Sequence, residues 1–195
     1  MKIDLANVNP SEWFQEQLEA SGYGFVWAVK QVPVERQNEL PPTQLGEWTA
    51  SRHTFHLLYH EEHIALHRIK QWLGGQSPIV DRNAEEKAWS AGHDLETMLE
   101  NFLELRLEQV ELASQFSSEM WKQVKDVQGW GPMSLHWVFS KNYQHTAEHI
   151  HDVLRLALFW DRFLRQNEKA YGKEIARAYK RKNAPNTSFR RAAGL

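Results

Sequence analysis

Two histidines, His145 and His149, interrupt the apolar stripe of the last long helix that the sequence predicts. Residues spaced i and i+4 lie one above the other on a helix, a spacing that suits chelation of one metal ion. Buried imidazoles need partners. We predict a transition metal, with hydrogen bonds to carboxylates or carbonyls of neighbouring helices as the alternative. The stripe, at about 100° per residue, consists of Leu135, Val138, Asn142, His145, His149, Val153, Leu156, Trp160 and Phe163.

A third metal ligand must come from another helix, and the predicted second helix is rich in histidine. Five of its histidines follow one another at spacings of +3, +4, +3 and +4, and so share an arc of about 80°. This arc lies beside the apolar stripe of the helix, so only one or two of the five can reach the core. Periodicity alone does not choose among His56, His60 and His63. The five are His53, His56, His60, His63 and His67.

Other site chemistries do not match this sequence. The chain has no cysteine, which excludes disulfides, iron–sulfur clusters and thiolate zinc sites. The HTAEH segment lacks the HExxH order, because Glu148 precedes His149 instead of following His145. A ferritin-like di-iron site needs two Glu-x-x-His helices, and only Glu148 with His151 has that spacing. Glycine-rich phosphate loops and nucleophile elbows are also missing.

Four long amphipathic segments carry these histidines, and we predict an all-α four-helix bundle. Ser11 is the expected N-cap of the first helix, and Ser134 is expected to start or cap the fourth. We see no period-two strand pattern. The predicted helices run from Ser11 to Pro33, from about Glu47 to Leu73, from Ala84 or Asp94 to Lys125, and from Ser134 to about Gln166.

Charge is unevenly distributed along the 195 residues, although the net charge is only -2. Residues 165–195 hold nine Lys or Arg and two Glu, which leaves 14 basic and 23 acidic groups in residues 1–164. We therefore predict a bundle domain over 1–164 and a basic tail or short helix over 165–195. The tail is expected to pack on the acidic body rather than to bind nucleic acid. No apolar run suits a membrane helix or a secretory signal, so we expect a cytoplasmic protein without membrane partners.

Three stretches resemble the DinB/YfiT-like (damage-inducible DinB-like) family of four-helix bundles. EWTASRHTFHLLYHEEH is similar to the family's tryptophan followed by His-Leu and an acidic residue, here Trp48, His56, Leu57 and Glu61. NFLELRLEQVELASQFSSEMW resembles its third helix, and GWGPMSLHWVFSKNYQHTAEHIHDVLRL resembles its closing HxxxH helix. The resemblance covers residues 11–164. It implies an up-down-down-up topology.

The resemblance also implies a ligand set and a range of activities. It places one metal, usually zinc or nickel, on His56, His145 and His149, whereas His60 and His63 depart from the family pattern. Many members are dimeric, and some relatives are transferases or isomerases that use a low-molecular-weight thiol such as bacillithiol, mycothiol or glutathione. A homodimer is therefore expected here too. The reaction itself does not transfer with the fold.

The function hypothesis that follows is a metal-dependent transferase or hydrolase, in which the metal activates a thiol or a water molecule for an unknown substrate. The alternative is a non-catalytic metal-binding stress-response or sensor protein, and a third possibility is a structural bundle with hydrogen-bonded histidines. His60, His63, Glu61 and Glu62 are candidates for supporting the ligands or transferring protons. A solvated helix face is the favoured interpretation of the two glutamates, and pairing with a carboxylate inside the bundle is favoured for Arg106.

Overall fold

The protein is described here from a computed structural model that covers residues 9–76, 83–90 and 92–182. Helix α1 spans Pro10–Gln31. The second long helix begins as α2 (Ala50–His60), widens into a π-helical segment (Glu61–Ala65), and continues as α3 (Leu66–Lys70) and a 3-10 turn (Gln71–Leu73). The remaining elements are α4 (Ala84–Trp89), α5 (Leu95–Ser114), α6 (Ser118–Lys122), β1 (Val124–Val127), β2 (Gly131–Ser134) and α7 (Leu135–Lys182).

Side-chain caps set the beginnings of the long helices. Asn9, rather than the predicted Ser11, caps α1, because its side chain accepts a hydrogen bond from the backbone of Ser11. Thr49 caps α2 by accepting from Arg52 N. As predicted, Ser134 caps α7, with its hydroxyl oxygen accepting from Trp137 N at 3.1 Å.

The bundle has the predicted up-down-down-up topology. Helix α1 runs antiparallel to α5, the second long helix runs parallel to α5, and α7 runs antiparallel to the second long helix. Helices α1 and α7 therefore point one way, and the second long helix and α5 point the other. The contacts that fix these directions are Ser11 with Ala113, Lys30 with Glu96, Glu61 with Arg106, Lys70 with Glu108, His53 with His149, and His56 with His145.

Three local features differ from the sequence prediction. Helix α7 continues to Lys182 without a break near Gln166, so the described part of the basic segment extends this helix. Helix α5 ends at Ser114, and the residues predicted to prolong it form α6 and a strand. Strands β1 and β2 pair as an antiparallel hairpin, whose Gly129 and Gly131 adopt positive φ angles of 83° and 79°. The two four-residue strands have one fully buried position between them, Val127 of β1, and are too short to show a period-two pattern.

The core consists of two apolar clusters separated by a buried polar layer. One cluster includes Phe25, Phe55, Phe102 and Trp160, and the other includes Phe14, Ile69, Trp121 and Phe139. Between them lie five polar side chains that are at most 1% exposed: Glu61, Arg106, Gln109, Asn142 and Thr146. No helix within the described residues is long and apolar enough to cross a bilayer.

Glycine at position 22 is required where α1 passes the buried Arg106. A Cβ atom there would lie 2.8 Å from Arg106 Cγ, and the fully buried Arg106 side chain has little room to move. We expect Gly22→Ala to lower the free energy of unfolding by about 1–3 kcal/mol, as overpacking does.

Gly24→Ala is the matched control, because its added Cβ would meet only Ile150 Cδ1 at an ordinary 3.5 Å. Alanine is the better helix former, so this variant should be neutral or slightly stabilised in urea denaturation. Equal effects of the two substitutions would contradict the steric explanation.

Candidate metal centre

The structure brings the three predicted histidines together at one point between α2 and α7. His56 Nε2 lies 3.0 Å from His145 Nε2, and His149 Nε2 lies 3.2 Å from the same atom. The three residues offer ligand atoms that all lie within 4.8 Å of one another. Three nitrogens on a tetrahedral zinc at its usual bond length are about 3.3 Å apart, so this spacing suits one small metal ion.

A hydrogen bond to Glu85 determines which nitrogen of His56 faces the centre. His56 Nδ1 lies 2.9 Å from Glu85 Oε1, and an ionised carboxylate only accepts, so the proton of His56 resides on Nδ1. The lone pair of His56 Nε2 then points towards His145. Lone pairs that converge from several rings repel one another unless a proton or a cation lies between them. A divalent metal ion placed between the rings would satisfy these lone pairs.

Burial and nearby histidines keep two of the converging rings, those of His145 and His149, neutral. Burial, followed by the charges of His149 and His56, lowers the pKa of His145 to about 3. Burial, followed by the nearby His53 and His56, lowers that of His149 to about 3 as well. Neutral imidazole is the form that binds metals, so both residues are ready to act as ligands at neutral pH.

The lowered pKa values of His145 and His149 predict a pH dependence of the metal-free protein. Both residues have an ordinary pKa of 6.5 when unfolded and about 3 when folded. Between these values the unfolded chain binds more protons, so the free energy of unfolding should fall as pH is lowered from 6.5 towards 3. Urea denaturation across this range checks it, and His145→Gln/His149→Gln should flatten the dependence.

Two side chains outside the ligand set hold the rings in place. Glu85 accepts from His56 and also pairs with Arg52 at 3.0 Å. Burial alone would raise the pKa of Glu85, but His56 and Arg52 outweigh burial and lower it, so this carboxyl is ionised. His53 Nδ1 lies 2.8 Å from His149 Nδ1, and this hydrogen bond holds the ring of His149. Helical spacing could not point to Glu85, because this residue lies 29 positions from His56 on a different helix, α4.

Substitution of Glu85 should weaken metal binding without removing it. Hydrogen-bond partners of metal-bound histidines typically contribute about 10- to 100-fold in metal affinity. We expect Glu85→Gln to raise the zinc dissociation constant by a factor in this range, measured by competition with a chromophoric chelator.

Glu86→Gln is the control for this measurement, because Glu86 pairs with Arg52 at 2.9 Å but not with a ligand ring. Equal zinc affinities of the Glu85→Gln and wild-type proteins would show that the carboxylate does not position His56.

The other histidines of the second long helix divide into two groups. His53 is buried, and the ring of His60 lies 4.4 Å from that of His145, with its Nδ1 atom buried. His63 and His67 are exposed. The histidines at the N-terminal end of this helix therefore face the core, whereas those in and beyond the π-helical segment are exposed. Sequence reasoning missed the hydrogen bond between His53 and His149. The position of His53, about one turn before His56, could have indicated that its side chain lies near the site.

Glu61 and Glu62 also have different environments. Glu62 is exposed, as the favoured interpretation held. Glu61 is fully buried and pairs with Arg106 at 2.5 Å, so the solvated-face interpretation was wrong for this residue. The prediction that Arg106 pairs with a carboxylate inside the bundle is confirmed. The π-helical segment begins at Glu61 and changes the direction in which the following side chains point, compared with a regular α-helix. A prediction based on a regular helical period could not include this change.

Fold and site together define a four-helix bundle with three histidines converging between its second and fourth long helices. No family model matches the sequence, and no curated protein matches it. Among solved structures, the chain is similar to YfiT from Bacillus subtilis, described as "a probable metal-dependent hydrolase with an unusual four-helix bundle topology". The TM-score is 0.63 at 19% identity, over 80% of this chain and 89% of that chain. This similarity confirms the fold that the sequence resemblance predicted.

Proposed function

We propose that this protein is a metal-dependent hydrolase that holds one divalent transition metal with His56, His145 and His149. The observation that carries the proposal is the convergence of their Nε2 atoms, at 3.0 and 3.2 Å from His145 to its two partners. The similarity to YfiT, itself described as a probable metal-dependent hydrolase, supports it. Zinc and nickel are the proposed metals, because a neutral imidazole donor set suits both ions.

A metal held by three histidines keeps a coordination position open, supplies Lewis acidity and lowers the pKa of a water ligand to about 7. The chain's own contribution is to fix the geometry of the site. Glu85 and His53 each hold one ligand ring by its second nitrogen. The ring of Trp48 lies nearly parallel to that of His149, with 6.0 Å between centroids, and covers one side of the group.

Access to His149, one of the three histidines, favours catalysis over a closed sensor site. A cavity of about 360 Å³ is lined by His149 and by His53. A structural or sensing metal site is usually closed by a fourth protein ligand, whereas a catalytic site keeps room for substrate. Among the described residues only three histidines form the metal-binding group.

Metal analysis followed by activity measurements tests this proposal. Protein purified without a histidine tag should carry about one equivalent of transition metal. After reconstitution with zinc or nickel, it should hydrolyse activated esters or amides, and a chelator should abolish the activity.

Parallel reactions with bacillithiol or glutathione distinguish water from thiol as the nucleophile. Turnover that occurs only in the presence of a thiol would indicate that the protein is a thiol transferase and not a hydrolase. Bound metal without turnover in any reaction would favour the sensor, and the absence of metal would leave a structural bundle. The expected homodimer stays a prediction, which light scattering on the same protein checks.

A further inference from the structure

The cavity that His149 lines is bounded on two sides by fixed parts of the fold and carries a net negative charge. One side is the segment 45–48 that precedes α2, and the other side is formed by α2 and α7 through His53, His149, Asp152 and Arg155. Its volume of about 360 Å³ suits a small organic molecule rather than a polymer.

Contacts with α7 hold the segment that forms this wall. Arg155 Nη2 donates to the carbonyl oxygen of Gln44 at 3.0 Å, and Gln44 Nε2 donates to Asn167 at 2.7 Å. Leu45 is buried, and Gly46 has a φ of 110° that turns the chain towards Glu47. The cavity is therefore preformed by the fold.

Charged groups in the cavity are mostly acidic. Glu47 and Asp152 present carboxylates, and the single lining cation is Arg155. The guanidinium of Arg155 donates to the Gln44 carbonyl and lies 3.7 Å from Asp152, so it offsets part of the charge of Asp152 and leaves the lining with a net negative charge. Asp152 also borders the neighbouring concave surface of α7, where Glu148 adds another carboxylate. An approaching anion would meet these carboxylates, whereas a cation would be attracted by them.

We propose that the cavity selects small substrates that carry a positively charged amine on the acyl side of the hydrolysed ester or amide bond. The amine would lie at Glu47 and Asp152, and the carbonyl would lie at the histidines. In the reaction, water adds its oxygen to the carbonyl carbon, the bond to the leaving oxygen or nitrogen breaks, and the leaving group takes up one proton from the water. This inference rests on the proposed hydrolase function.

Two isosteric probes test the charge preference. The first is the para-nitrophenyl ester of γ-trimethylammoniobutyrate, and the second is the same ester with carbon in place of the ammonium nitrogen. Because the two differ only in charge, the ratio of their kcat/KM values reports the electrostatic preference of the cavity. We expect a ratio of about fivefold or more in favour of the cation, falling as salt is added, because exposed ion pairs are weak and screened.

Variants that remove the carboxylates of the cavity test whether these groups cause the preference for the cationic ester. The double variant Glu47→Gln/Asp152→Asn should bring the ratio of kcat/KM values close to one. Glu104→Gln, which removes an exposed carboxylate of α5 outside the cavity, should leave the ratio as in wild type. A ratio near one in the wild-type protein, or a ratio unchanged by the double variant, overturns the inference.

Binding measurements separate this inference from the proposed function. The two corresponding amides are titrated into the zinc-loaded protein by calorimetry, which needs no turnover. Tighter binding of the cationic amide, together with no hydrolysis of either ester, would support the charge preference of the cavity and overturn the hydrolase. Equal binding of the two amides would overturn the charge preference, whether or not the esters are hydrolysed.

Discussion

Replacement of His145 by alanine is expected to abolish stoichiometric metal binding. His145 is the central ligand, because its Nε2 atom is within 3.2 Å of the Nε2 atoms of both other histidines. Binding energies of about 10–16 kcal/mol for four-ligand zinc sites correspond to roughly 3 kcal/mol per ligand. The zinc dissociation constant should therefore rise by about 100-fold or more. Chelator competition measures the affinity, and elemental analysis measures the metal retained after purification.

His151→Ala is the matched control, because His151 lies on the same helix and is exposed. It should keep the wild-type metal content and affinity. If untagged wild-type protein holds less than about a tenth of an equivalent of metal, and His145→Ala does not change this, the metal site is refuted. Circular dichroism of each variant separates lost binding from lost folding.

Removal of Arg106 is expected to be the most destabilising change in the bundle. Arg106 donates to Glu61 Oε1 at 2.5 Å and to the hydroxyl of Thr146, so it joins α5 to the second long helix and to α7. Burial raises the pKa of Glu61, and the guanidinium opposes this rise. Arg106→Met leaves the fully buried Glu61 carboxylate unpaired, which should lower the free energy of unfolding by about 3–5 kcal/mol.

A second substitution separates the cost of an unpaired charge from the value of the pair. Replacing both partners, as in Glu61→Leu/Arg106→Met, should recover most of the lost stability, because apolar groups of similar volume often replace a buried ion pair without loss. The exposed pair Lys70–Glu108, at 2.6 Å, is the control, and Lys70→Met should cost at most about 1 kcal/mol. A loss below about 1 kcal/mol for Arg106→Met would contradict the structural role of the pair.

The pairing of Arg106 has a consequence for the metal centre. Thr146 lies between His145 and His149 on α7, so the arginine anchors the ligand helix within the HxxxH segment. The Glu61→Leu/Arg106→Met variant therefore also reports how far this anchor contributes to zinc affinity. Its stability and its affinity can be measured on the same preparation.

The sequence by itself determined the features of this protein that follow from the α-helical repeat of 3.6 residues per turn. His145 and His149 were placed on the core stripe, because i and i+4 positions share a face wherever the helix packs. The bundle followed from four amphipathic segments and their breaks, and the similarity to YfiT bears it out. These are local regularities, so they are visible before any tertiary contact is known.

Only the tertiary structure decided which groups meet across helices. Periodicity left His56, His60 and His63 open, and the packing of α2 against α7 placed His56 Nε2 at 3.0 Å from His145 while His63 stayed exposed. Glu85 is 29 positions from His56, and no sequence pattern links them. The π-helical segment changed the phase at Glu61, which buried a carboxylate that a regular period assigned to solvent. Such partners are set by long-range packing and by defects in regular structure, which helical spacing does not encode.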